Sequence, residues 1–480
     1  MPVLPTPSER DSEAVDLPGR RAPIVARCDV VIAGGGPSGM GAALGAAWAG
    51  ASVVLVERFG FLGGNPTAAL VNPLMSWHTQ GAVQQDVDDT RLLPQDHGPG
   101  DPVVAGALQV FLDRLIAAEG AVSPSLETGY TVPFDPETYK SVALELLDEA
   151  GVRMLFHAFA SGILADGGPA MQGRAAAGAR GVVLETKSGP IAVAAPVVID
   201  CTGDADLAAQ AGARFQVGRE GDGRVQPMTL MFRLGGVDQD RFNAYIRDNP
   251  GQWRGVHGLW DLVAKASEAG DLDLPREDIL FFATPHRGEL SVNCTRVTAA
   301  LGTDVFDLSR AEIEARRQMR QIAAFFRKYV PGFASSYVIQ SGTTVGVRET
   351  RRIEADYVLT AQDVLEARKF PDAIARASYP IDIHNPTGKG TVLRKLPPGE
   401  WYEVPMRSLL PRGVENLLVA GRAIGGTHEA HSSYRVTPTA MATGQAAGVC
   451  AALAVRQRRG LRDVPTAEVQ AELRRQGAAV

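Results

Sequence analysis

At 480 residues the chain is about three times the usual length of a single compact unit. Its 48 Lys and Arg against 54 Asp and Glu give a formal charge of −6 with no block of like charge, which argues against nucleic acid as a partner. With 45% apolar and 21% charged residues it is a globular chain with a large core, and its 52 glycines, about 11% against a usual ~7%, mark where backbone bends tightly or meets a ligand closely.

Residues 1–26 mix Pro with both charges and have no apolar run, so they are expected to form a flexible tail rather than a signal peptide. Four scattered cysteines without a C-x-x-C predict free thiols, no metal site and a cytoplasmic location. Val30–Val56 carries no charge and is long enough to span a bilayer, but its seven glycines and Pro37 read as strand, turn and buried helix. No membrane partner is expected.

That segment continues into Glu57. Asp29–Ala33 is an apolar strand, and Gly34, Gly36 and Gly39 satisfy G-x-G-x-x-G in the turn Gly34-Gly35-Gly36-Pro37-Ser38-Gly39. A helix from about Ser38 to Ala49 and a second strand, Ser52–Val56, follow. Gly34 makes the turn, Gly36 admits a pyrophosphate, and Gly39 lets helix and strand pack closely. The helix N-terminus offers free N–H groups to phosphate. Glu57 is placed to accept ribose hydroxyls and to repel a 2′-phosphate. A second glycine-rich loop, Arg58 to Asn65, follows directly and favours the longer FAD over NAD.

Further on, Gly106–Gly120 and Asp135–Glu149 are expected as amphipathic helices, the second capped by Asp135. Residues 81–101 read as a polar loop and Val152–Ala160 as a strand. Ala177–Thr186 and Ile191–Asp200 read as paired strands around a turn. The latter runs into Thr202-Gly203-Asp204 and a short helix, Leu207–Ala211, which aims a loop at a ligand. Residues 216–400 differ in texture, with a helix Ser309–Lys328 opened by a Ser309/Glu312 capping box, and read as a substrate or cap domain. Asn416–Ala420 returns to a buried strand, followed by Gly421-Arg422 and a helix capped by Thr437 with Pro438 at its first position.

Four separated blocks, GGGPSG…VVLVERFGFLGGN, VVIDCTGDADLA, GVRETRRI with YPIDIH, and NLLVAGRAIGGTHEA…RVTPTAMATGQAAG, resemble the bacterial FAD-dependent oxidoreductase family of the glutathione-reductase-like flavoproteins. That family is related to the fumarate-reductase and glucose-inhibited-division groups, and the likeness covers roughly residues 25–455. It implies an α/β fold: a discontinuous Rossmann-like FAD-binding domain (27–215 and 401–460) with an inserted α+β substrate domain (216–400) and a C-terminal tail (461–480). It further implies that Gly34, Gly36, Gly39, Glu57, Arg58, Gly64 and Asn65 meet the adenosine and pyrophosphate. Thr202, Gly203 and Asp204 match a second flavin loop, and Gly421, Arg422 and Arg435–Thr439 match the segment beside the isoalloxazine. Related reductases often carry Asp where this chain has Arg422.

The expected function is a dehydrogenase or oxidase passing hydride from a small polar substrate, acidic or acceptor-rich, to flavin N5. A base is needed, and His384, His428 and His431 are the histidines in informative segments. Arg435 and the helix opening at Thr437-Pro438 can stabilise charge on the reduced flavin. Arg348, Arg351 and Arg352, interleaved with Glu349, form either an ion-paired hinge between domains or a guanidinium clamp for a carboxylate or other acceptor-rich substrate, with Arg351 taken as the site residue. Without a second G-x-G-x-x-G, electrons are expected to pass to oxygen, a quinone or a small carrier. A flavin monooxygenase using transient NAD(P)H, and a non-catalytic or RNA-modifying flavoprotein, are the alternatives.

Overall fold

The computed structural model describes residues 19–80, 89–94, 100–125, 128–165, 168–169, 178–387 and 390–480. Val30–Ala33, Val53–Val56 and Val197–Asp200 are short β-branched runs buried at every position, as strands covered on both faces must be. With Arg153–Leu155 and Leu417–Val419 they form one parallel five-stranded sheet. Its order is Leu417–Val419, Val197–Asp200, Val30–Ala33, Val53–Val56, Arg153–Leu155. The chain winds outward from Val30–Ala33 to one edge and then returns to build the other. The reversal opens a crevice beyond the carboxyl ends of Val30–Ala33 and Val197–Asp200.

Two helices lock together over this sheet. Pro37–Trp48 carries Gly41 and Gly45, and Thr437–Gln457 carries Gly444 and Gly448, each pair four residues apart on one face. A Cβ on Gly41 would stand 2.1 Å from the Met441 carbonyl oxygen, and one on Gly444 2.0 Å from that of Ser38. The backbones touch because no side chain intervenes. Thr437–Gln457 is long and apolar enough to cross a membrane by length and composition, yet 89% of its most apolar window is buried within the protein.

A second five-stranded sheet, Ile24–Arg27, Gly189–Ala194, Ala179–Thr186, Phe159–Ala165 and Gly168–Pro169, packs beside the first. Between Val197–Asp200 and Leu417–Val419 in sequence order, residues 232–341 add an antiparallel six-stranded sheet backed by the helix Val305–Tyr329. Phe232, Phe281, Ile322, Phe325 and Phe326 fill the space between helix and sheet, each fully buried aromatic contributing about 1.5–3 kcal/mol by leaving water. The fold is therefore α/β, a Rossmann-like sheet made of distant segments with an α+β insertion.

Several local expectations change. Val152–Ala160 is two strands, Arg153–Leu155 and Phe159–Ala165, broken where His157 takes a φ of +55°. Ile191–Asp200 also divides: Gly189–Ala194 pairs with Ala179–Thr186, whereas Val197–Asp200 joins the parallel sheet beyond Pro196, which has no N–H to continue a ladder. The long helix begins at Val305, not Ser309. Asp304 caps it by accepting from the N–H groups of Phe306 and Asp307, while the Ser309 hydroxyl donates to the Val305 carbonyl. Asp135 caps Pro136–Glu149 as expected. Ile24–Arg27, placed in the N-terminal tail by sequence, pairs in parallel with Gly189–Ala194. In the C-terminal tail, Thr466–Arg475 is a helix with Val469 and Leu473 fully buried. Residues 1–18 and most of the expected 81–101 loop lie outside the described residues.

Candidate active site

Gly34 takes a φ of +102°, and a Cβ there would meet the Cys201 carbonyl oxygen at 2.3 Å. Only glycine both tolerates that turn and lets Val30–Ala33 end against the neighbouring strand. Gly39 packs on the Gly34 carbonyl in the same way and lies behind the crevice rather than on its surface. The crevice floor is made by Gly34, Gly36, Pro37, Ser38, Gly64, Asn65, Thr202, Gly203 and Gly421. Glu57, Arg58, Arg422, Arg435 and Thr437 stand around it.

Two helix starts point into this space without a side-chain cap. Pro37–Trp48 begins at Gly36 and Thr437–Gln457 at Val436. Thr437 is thus the first helical residue and not the cap that its sequence promised. First-turn N–H groups left uncapped at a helix start are an anion site in waiting. Gly36 and Gly64 face each other, so that a Cβ on Gly36 would lie 3.6 Å from the Gly64 Cα and fill the passage between them.

Glu57 is nearly buried and already engaged. Its Oε2 accepts from the Gly35 N–H at 2.6 Å and its Oε1 from that of Phe59 at 2.8 Å. Each oxygen keeps a lone pair for a ribose hydroxyl. Burial pushes its pKa above the ordinary value, against the pull of those N–H groups. Asp204 does not line the crevice. It accepts from Arg422 at 2.7 Å and from the Thr350 hydroxyl at 2.8 Å, and Gly203, with φ +85°, leaves room for the Arg422 guanidinium, whose Cζ a Cβ would approach to 2.8 Å. Where related reductases often carry an acid, this chain therefore has a cation neutralised by an acid from the neighbouring loop. Thr439 is buried, with its hydroxyl unpartnered among the described residues.

The crevice opens into a cavity of about 740 Å³, and Asn65, Arg422, Arg435 and Thr437 line both. Pro438 lines the cavity as well. His384 lies on its wall. The alternation in Ile381-Asp382-Ile383-His384 sets Asp382 and His384 on one face of a strand. His384 Nε2 stands 3.7 Å from Asp382 Oδ2, which also accepts from the Tyr379 hydroxyl at 2.8 Å and sits 3.9 Å from Arg435 Nη2. Burial, then the positive fields of Arg348 and Arg435, hold the His384 pKa well below 6.5.

The other two histidines are corrections. His428 and His431 lie inside the buried helix His428–Tyr434, away from both crevice and cavity. His428 Nδ1 is 2.9 Å from Glu349, which also pairs with Arg352. Arg351 is a correction too. It bonds Asp206 at 2.8 Å and the Asp204 carbonyl and lies over Phe215, so it ties its strand to the loop and helix start at Asp204–Asp206, and it does not line the cavity. The cavity-facing arginine of the segment is Arg348. Asp382 and Tyr379 are the site residues that sequence reasoning did not select, and of the three arginines of the possible clamp the structure sets Arg348, not Arg351, on the cavity. The i, i+2 spacing of an acid and a histidine in a strand was the available signal for the first. The expected absence of metal ligation has only this counterpart: among the described residues no cluster of three or more His, Cys, Asp or Glu could hold an ion.

A family model described as FAD dependent oxidoreductase matches residues 29–473. The chain belongs to the FAD-dependent oxidoreductase family. FAD is its cofactor, and the crevice fits it: two uncapped helix N-termini for phosphate, a glycine-floored passage, and a carboxylate with free lone pairs at the end of Val53–Val56. No curated protein matches the chain. Solved structures with a similar chain path include a geranylgeranyl bacteriochlorophyll reductase-like protein from Thermoplasma acidophilum, 12% identical, TM-score 0.43, covering 94% of this chain and 83% of that one. The p-nitrophenol 4-monooxygenase PnpA from Pseudomonas putida DLL-E4 is 11% identical, TM-score 0.44, with 94% and 89% covered. The anhydrotetracycline hydroxylase OxyS from Streptomyces rimosus is 12% identical, TM-score 0.41, with 94% and 66% covered. Likenesses this distant carry no argument about the activity of this family member.

Proposed function

We propose that this FAD-dependent oxidoreductase acts as a dehydrogenase or oxidase on a small polar organic molecule held in the cavity. The observation that carries this reading is a neutral histidine, His384, on the wall of a cavity of about 740 Å³ that is continuous with the cofactor crevice. Bound FAD supplies a two-electron acceptor. The chain's own part is to take the proton from the substrate O–H or N–H. His384, kept uncharged at neutral pH, has one ring nitrogen with the lone pair this requires; with Nε2 towards Asp382 it is Nδ1, which stands 3.4 Å from the Thr391 hydroxyl.

Asp382 is set to stabilise the imidazolium that proton transfer creates, and Tyr379 fixes the carboxylate by donating to it. Arg435 and the helix N-terminus at Val436 stand where crevice meets cavity and favour negative charge arriving there. Most of the cavity wall comes from residues between Thr229 and Lys395, which supports reading 216–400 as the substrate-binding part. We assign electron release to oxygen, a quinone or a small carrier, and within its family we group the chain with the glutathione-reductase-like flavoproteins on its four motif blocks.

The test is an anaerobic screen of small alcohols, amines and acids against the FAD-loaded protein, following loss of the visible flavin absorption. Bleaching by a member of this set supports the reading. Bleaching only by NADH or NADPH, with organic donors inert, would replace it with a monooxygenase.

A further inference from the structure

Arg348 is anchored along one edge only. Its Nη1 donates to the Pro227 carbonyl and to the Thr229 hydroxyl, both at 2.6 Å. Its Nε and Nη2 make no hydrogen bond to a described residue, and no carboxylate lies within ion-pair distance of it among those residues. Arg348 nonetheless lines the cavity. A guanidinium held at one corner by neutral acceptors, with its other donors open, is a fixed fork without its anion.

Among the described residues no carboxylate supplies that anion. The part-buried cationic side chains on the cavity wall are Arg348, Arg422 and Arg435, and the described carboxylates lining it are Asp89 and Asp382. Arg422 is already matched by Asp204, Asp89 accepts from the Gly255 N–H, and Asp382 is shared between Tyr379, His384 and Arg435. Arg276 and Arg296 add further positive charge; Arg276 pairs with Asp278, whereas Arg296 donates to the Asn385 and Gly390 carbonyls. Desolvated cations without counter-charge are costly, and a bound anion removes that cost. The same cavity is also lined by the apolar side chains of Met75, Met231, Leu280 and Phe282, of which Met231, Leu280 and Phe282 pack in one cluster.

We infer that the substrate is an organic carboxylate with an apolar body, its carboxylate held by Arg348 and its body against Met75, Met231, Leu280 and Phe282. This assignment rests on the oxidoreductase reading above, because it names the substrate class of the same cavity. It places Arg348 on the substrate and leaves His384 and Asp382 free to act at the adjoining carbon.

The experiment compares matched acids and amides as probes: mandelate with mandelamide, and lactate with lactamide, each titrated into the oxidised, FAD-loaded protein. Binding is read from perturbation of the flavin spectrum and from the rise in Tm. Mandelate should bind at least about tenfold more tightly than mandelamide, the scale of one charge-assisted hydrogen-bonded contact, and more tightly than lactate. Arg348→Met should remove the acid preference while FAD content stays as in the wild type, since Arg348 lies outside the cofactor crevice. Arg348→Lys, which keeps the charge, should retain part of it. Equal affinity for acid and amide in the wild type would overturn the inference, with no need of a variant. An undiminished acid preference in Arg348→Met would overturn it as well. If carboxylates bind through Arg348 and no donor ever bleaches the flavin, the carboxylate site stands and the oxidoreductase reading of the cavity falls. If neutral donors bleach it and acids neither bind nor react, that reading stands and the carboxylate assignment falls.

Discussion

His384 Nε2 and Asp382 Oδ2 lie 3.7 Å apart on the same face of one short strand, at the wall of the cavity that meets the cofactor crevice. The two side chains have different environments although they are neighbours. Burial and surrounding arginines disfavour a proton on the histidine, whereas the carboxylate is held by the Tyr379 hydroxyl. Such a pair keeps a base free at rest and steadies it once it has gained a proton.

The sign of the His384 shift fixes a pH profile. Its folded-state pKa lies below 6.5, so the imidazole stays neutral as pH falls from neutrality past that value. The rate of flavin reduction by substrate should therefore be level across this range and decline only at lower pH, where the ring gains a proton and loses its lone pair. Stopped-flow reduction at a series of pH values checks this. An acid limb centred at or above 6.5 would contradict it.

Asp382→Asn keeps the shape of the side chain and removes its charge. Substrate-driven reduction should slow by about tenfold to a hundredfold while FAD content stays unchanged, because Asp382 does not line the cofactor crevice. An unchanged rate would make the carboxylate a bystander.

Glu57 holds the Gly35 and Phe59 N–H groups and presents its remaining lone pairs to the crevice. Glu57→Ala strands both donors, costing about 1–3 kcal/mol for each left unsatisfied, and Glu57→Arg adds a misplaced charge. Both should emerge from gel filtration with most of their FAD lost. Wild-type FAD content in Glu57→Arg would remove this residue from the ribose site.

The contact between helices Pro37–Trp48 and Thr437–Gln457 has no room for a methyl group. Gly444→Ala should lower stability by at least about 1–3 kcal/mol, the usual scale of overpacking, seen as a fall in Tm. Gly251→Ala, where nothing lies within 4 Å of the added Cβ, is the control and should be close to neutral.

Much of the cofactor crevice was legible because it depends on backbone. Gly34, Gly36, Gly64, Gly203 and Gly421 sit where sequence placed them, at the carboxyl ends of buried strands or in the loops that follow. Close approach and positive φ leave a compositional mark that a single sequence carries. The cavity left no such mark. His428 and His431 occur in the polar run Thr427-His428-Glu429-Ala430-His431-Ser432-Ser433-Tyr434, whose composition gives no sign of burial, yet tertiary packing makes it a helix buried along nearly its whole length. Among Arg348, Arg351 and Arg352, nothing in the spacing says which faces the cavity. That is decided by distant partners: Asp206 takes Arg351, and Glu349 with the Gly218 and Gly426 carbonyls takes Arg352, leaving Arg348. The switch of Val197–Asp200 between sheets was hidden for a similar reason, since Gly189–Ala194 and Val197–Asp200 are both apolar and only Ala195 and Pro196 separate them.

The central claim is that a substrate in the cavity is oxidised at FAD with His384 as its base. Its most direct test is anaerobic single-turnover reduction of the FAD-loaded wild type and of His384→Ala by the best donor from the screen. We predict that both proteins carry equal FAD, that the donor bleaches the wild type, and that reduction of the variant is slower by about a hundredfold or more. Equal reduction rates in the two proteins would contradict the account, as would a purified protein that shows no flavin absorption after FAD is added.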